Sequence, residues 1–114
     1  MASTGLTIAL IKALGGGGGG GGGTHEVPVE GSTPVITGAD GTRYICGECS
    51  TLSITPPAKG IISVVFESGS TPTVLTVPNT VEWTSDFDPT SLEANTVYEL
   101  NIADGTLGVV AQWA

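Results

Sequence analysis

Nine consecutive glycines, Gly15 to Gly23, constrain this chain more than any other feature. Glycine loses the most conformational freedom on ordering and brings no side chain to a core, so the tract is neither helix nor strand interior. As a flexible tether it spans about 16 Å. Drawn out like polyproline II it reaches about 28 Å. The sequence therefore reads as three parts: an apolar segment at 1–14, a polyglycine linker at 15–23 and a β domain at 24–114.

Residues 1–14 carry helix formers with few polar positions, among them Leu6, Ile8, Ala9, Leu10, Ile11, Ala13 and Leu14. Ser3 or Thr4 suits an N-cap and Gly15 a stop, so a short helix is expected. A helix of this length is marginal alone, and one apolar on nearly every side must bury itself against something. Two readings follow. The segment is an anchoring and oligomerisation peg using Leu6, Ile8, Leu10, Ile11 and Leu14, or it packs as a strand or frayed tail on its own domain. It lacks the basic region and cleavage site of a signal peptide, so the segment is expected to be retained and the protein to be made and folded in a cytoplasm. No run approaches the ~20 apolar residues of a membrane span.

After the glycines, Thr, Val and Ile recur at alternate positions between turn signals, the pattern of strands. Strands are expected at Val35–Thr37, Thr42–Cys46, Ser50–Thr55, Ile61–Glu67 and Thr73–Val77. The clearest element is a hairpin over Val97–Trp113 with Asp104-Gly105 as a two-residue type I′ turn. That turn places Ile102 opposite Leu107, Leu100 opposite Val109 and Tyr98 opposite Ala111, giving one apolar face with Trp113. The expected fold is all-β, a small antiparallel β-sandwich or jelly-roll-like module. The tetrapeptide Gly-Ser-Thr-Pro at 31–34 and 69–72 is too short to define a repeat.

The chain has 11 acidic and 3 basic residues, a net charge of −8. Nucleic acid and anionic membrane surfaces are excluded as partners, since both need clustered Lys and Arg. His25, the only histidine, follows the glycine tract and reads as a solvated linker residue. Cys46-Gly-Glu-Cys49 has no second cysteine pair to complete a zinc site and no βαβ setting for redox work. Its thiols read as small buried hydrophobes, with a local disulfide as the alternative. Asp86 and Asp88 lack the spacing of a calcium loop. No Lys-Ser/Thr follows the glycines, so they form no phosphate loop. Trp83 and Phe87 beside Asp86 and Asp88 are the candidate ligand-facing residues, for a host glycan. No catalytic, metal or cofactor residue is assigned, and an enzyme is not expected.

Three stretches carry a resemblance: Thr37–Glu48 (TGADGTRYICGE), Leu52–Ala58 (LSITPPA) and Glu93–Gly105 (EANTVYELNIADG) with Trp113. With the opening Met1–Leu14 they resemble structural proteins of tailed phages and prophages of gut Firmicutes, of the head-fibre or minor structural type. Two features depart from that pattern. Glycines stand where those proteins carry a longer polar or helical stretch, and Cys49 stands where a hydrophobic residue is common. The resemblance implies a non-enzymatic virion component made in the bacterial host cytoplasm and displayed on the virion surface. Residues 1–14 would dock on capsid or other virion proteins. The copies would form a homotrimer, and the last strand, Leu107–Trp113, apolar to its end, would be buried in the assembly. The alternative is a tail-associated adhesin or carbohydrate-binding module recognising the host surface.

Overall fold

The computed structural model describes residues 25–84 and 86–113. The segment 1–14 with Leu6, Ile8, Leu10, Ile11 and Leu14, and the glycine linker, lie outside the described residues, and so does the helix expected there. The described chain is all-β. In chain order its strands are β1 (His25–Val29), β2 (Val35–Thr37), β3 (Thr42–Cys49), β4 (Thr51–Thr55), β5 (Ile61–Ser68), β6 (Val74–Thr76), β7 (Glu82–Trp83), β8 (Thr96–Ala103) and β9 (Leu107–Trp113). They form a six-stranded sheet, β1-β3-β5-β8-β9-β7, and a three-stranded sheet, β2-β4-β6.

The strand directions correct the antiparallel expectation. β1, β3 and β5 run parallel, and so do β2, β4 and β6. Only β5, β8 and β9 form antiparallel ladders. The physical reason lies in the corners. Each carries the chain across to the other layer instead of back along its own, so the next strand in a given layer returns in the same direction. Three circuits, β1–β2, β3–β4 and β5–β6, thus stack on one another.

Backbone groups at the exposed corners are bonded between circuits. At one corner the Ser50 N–H and hydroxyl both donate to the Ser32 carbonyl, at 2.7 and 3.0 Å, and the Val74 N–H donates to the Ser50 carbonyl at 2.9 Å. At the other, the Gly41 N–H donates to the Ile61 carbonyl at 2.9 Å, while Asp40 Oδ1 accepts from the Ile61 N–H at 2.9 Å.

The core lies between the layers. Ile36, Leu52, Ile54 and Leu75 face Ile62, Val64, Phe66, Leu100 and Ile102, all buried. The Phe66 and Tyr98 rings stack at 5.4 Å across the β5–β8 ladder. On the other face of the large sheet Ile45, Val65 and Val97 form a second, smaller cluster. There the Arg43 guanidinium reaches over β5 to pair with Glu99 at 2.7 Å.

The closing hairpin keeps its turn and shifts its register. Asp104 and Gly105 have φ of 55° and 66°, and the Thr106 N–H donates to the Ala103 carbonyl at 3.0 Å, as a type I′ turn requires. Thr106 is nevertheless a third loop residue, so Ala103 pairs with Leu107, Ile102 with Gly108 and Leu100 with Val110. The expected apolar face is overturned by this one-residue shift. Trp83 explains it. β7 lies parallel to β9 with Trp83 opposite Gly108, and a Cβ on Gly108 would clash with the indole. The ring occupies the slot that Leu107 would have filled. Leu107, Val109 and Trp113 turn to the outer face, 47, 45 and 36 % exposed.

Candidate functional site

Residues 82–95 carry the side chains singled out for ligand contact. β7 brings Trp83 over the core, and Phe87 meets it edge-on at 4.9 Å and 70°. Phe87 also lies 6.0 Å from Tyr98, so the rings run inward from Trp83 to Phe66. Trp83 and Phe87 are half-buried and pack against the core cluster. Asp86 and Asp88 are exposed. The structure therefore joins the two rings to each other and to the core, with the carboxylates outside that cluster.

Asp88 has a local task. Its Oδ1 accepts from the Thr90 hydroxyl at 2.6 Å and the Thr90 N–H at 2.9 Å, closing a turn on itself. Both bonds favour the carboxylate, the hydroxyl more, and hold its pKa below the ordinary value. A depression of about 440 Å³ beside this turn is lined by Thr73, Val74, Leu75, Thr90 and Leu92, with no titratable side chain.

Cys46 and Cys49 owe their joint burial to an irregularity in β3. Ile45 pairs with Val65 and Glu48 with Glu67, so Cys46 and Gly47 together stand opposite Phe66. This bulge adds one residue and turns Cys49 to the side that Cys46 already occupies. Both are free thiols, each 1 % exposed. The hydrogen bond to Cys49 and burial push the Cys46 thiol far up, while the same bond lowers Cys49. A nucleophilic thiol needs a depressed pKa, and of the two it is Cys49 whose pKa is lowered.

His25 is the first residue of β1, exposed, and its N–H donates to the Gly41 carbonyl at 2.8 Å. The expected linker histidine is thus part of the sheet. Among the described residues no group of three or more His, Cys, Asp or Glu side chains is placed to hold a metal ion. Compared with known proteins, the chain matches no family model, no curated protein and no solved structure.

Sequence reasoning missed the Arg43–Glu99 pair, because nothing local links residues so far apart in the chain. It also missed the outward-facing backbone of β9 at Val110 and Gln112, which no strand among the described residues covers. There a signal did exist: a seven-residue strand without charge or proline at the rim of an acidic protein.

Proposed function

We propose that this chain is a non-enzymatic structural protein of a bacteriophage particle, of the head-fibre or capsid-decoration type. Residues 1–14 anchor it to capsid or other virion proteins and gather its copies into a homotrimer. The glycines act as spacer, and the two-layer β head is displayed on the virion surface. One observation supports this reading above the others. The head is bonded circuit to circuit at both corners, which makes a stiff body to project from a surface. The likeness of Thr37–Glu48, Leu52–Ala58 and Glu93–Gly105 to phage structural proteins adds to it.

A glycan-recognising adhesin would use aromatic faces open to solvent beside acids. Trp83 and Phe87 spend theirs on each other and on the core, which favours the structural role.

Replacing Leu6, Ile8 and Leu10 by Lys in the full chain tests the anchor. Co-sedimentation with particles should be lost while the far-ultraviolet dichroism of the head stays unchanged. A triple variant that still co-sediments as the native protein does would overturn the reading. A native protein that does not sediment with particles and binds a glycan array would replace it with the adhesin.

A further inference from the structure

The six-stranded sheet has two unlike edges. At the first, β1 aims the backbone of alternate residues at β3, as the bond from the His25 N–H to the Gly41 carbonyl shows. Glu26 and Pro28 therefore face outward. Proline has no N–H to give, and Glu26 and Glu30 flank it with charge. Such an edge resists pairing with another strand.

The second edge is β9. β7 covers only its start: the Glu82 N–H donates to the Thr106 carbonyl at 2.7 Å and the Thr84 N–H to the Gly108 carbonyl at 2.9 Å. The same alternation aims the backbone groups of Val110 and Gln112 outward, and β7 ends at Trp83. From Leu107 to Trp113 there is neither charge nor proline, in a chain of net charge −8. Val109, Ala111, Gln112 and Trp113 are exposed. Natural sheets guard their edges. Among the described residues this one is guarded on one side only.

We propose that β9 pairs antiparallel with β9 of a second copy, about a two-fold axis through Ala111. Val110 then exchanges N–H and C=O with the partner's Gln112, and Gln112 with the partner's Val110. Ala111 faces its own copy with the Cα atoms about 4.5 Å apart, the spacing of a non-hydrogen-bonded pair. Val109 lies against the partner's Trp113, an aromatic and β-branched pair of the kind that stabilises sheets. Like charge keeps copies of an acidic protein apart, and an approach along the seven residues of β9 places no like charges opposite each other; the uncharged edges β2 and β6 are three residues long and offer a shorter ladder. Pro28 and its acids disfavour the head-to-tail alternative, β9 against β1 of the next copy. The contact joins heads in pairs, whatever number residues 1–14 gather, and does not rest on the anchoring role of that segment.

Gln112→Pro removes the outward N–H without touching a bond to β8. The full-length variant should keep its far-ultraviolet dichroism and at least halve the mass of the native protein in solution at the same concentration. Ala111→Cys should form a covalent dimer under oxidised glutathione. The native chain, whose two cysteines are buried, serves as blank. This second variant decides the matter should Gln112→Pro not fold. Equal masses for the native and folded Gln112→Pro proteins, or an Ala111→Cys protein that stays uncrosslinked, would overturn the pairing.

Discussion

The stacked circuits of residues 25–77 and the closing hairpin of residues 96–113 share one sheet but depend on different contacts. In the circuits, every strand finds its partner one full turn away in sequence, and the corners are bonded to the corners above and below. In the hairpin, β8 and β9 are neighbours in the chain, and their turn is fixed by two residues with positive φ. The local element should be the better determined. Yet its register is set from outside, by the indole of Trp83. A good turn chooses how a chain reverses, while the faces of the strands are chosen by what must fit beneath them.

The join between the two regions is the β5–β8 ladder, where every residue of β5 has a partner. Phe66→Ala removes a fully buried ring that stacks on Tyr98 across this ladder. A loss of about 3–5 kcal/mol is expected, read from the denaturant midpoint. Amide exchange should show circuits and hairpin losing protection together. If the circuits keep their protection while the hairpin loses it, the two are separate units and the join is weaker than drawn here.

A smaller effect separates the regions. Gly108→Ala drives a methyl group into the Trp83 ring, an overpacking that costs about 1–3 kcal/mol. The Trp83 indole N–H resonance should shift, with lost protection confined to β7 and β9. An unchanged indole signal would mean that Trp83 does not set the register.

Much of the strand pattern was legible in the sequence. Val35–Thr37 appears as expected, and the expected strands at 42–46, 50–55, 61–67 and 73–77 appear with ends moved by a few residues. Alternation of Val, Ile and Thr marks a strand wherever one face is buried. It does not mark the partner, so parallel pairing between circuits went unseen. A trace of it was present: the two Gly-Ser-Thr-Pro tetrapeptides lie at the corners that lead into β2 and β6. The corner before β4 holds only Ser50, and without a middle copy the repeat is invisible. β1 was missed for a different reason. Val27 and Val29 alternate with Glu26 and Pro28, but two apolar residues are too short a run to mark a strand, and a proline between them argues against one except at a sheet edge. For the candidate site, residue types predicted buried thiols, but the bulge that buries both could not be read, because it exists only relative to β5. Trp83 and Phe87 were legible as aromatics in a β module and not as each other's neighbours.

The segment between circuits and hairpin offers the smallest and most local test. Asp88 is exposed, and its carboxylate holds Thr90 by hydroxyl and N–H. These bonds put its folded pKa below the 3.8 of an unperturbed aspartate. Their contribution to stability is fully present above 3.8 and fades as pH falls through the lower, folded value. The Thr90 amide resonance should therefore titrate with a midpoint under 3.8, while the amides of β5 and β8, which carry Glu67 and Glu99, should follow the same course in the native protein and in Asp88→Asn. Asp88→Asn should abolish that titration and leave the global midpoint nearly unchanged, since an exposed turn contact supports neither region. A Thr90 signal that titrates at 3.8 or above would mean that the carboxylate does not hold the turn in solution. A β5 or β8 shift that Asp88→Asn removes would mean that this segment couples the circuits to the hairpin, against the picture of two regions joined through the β5–β8 ladder.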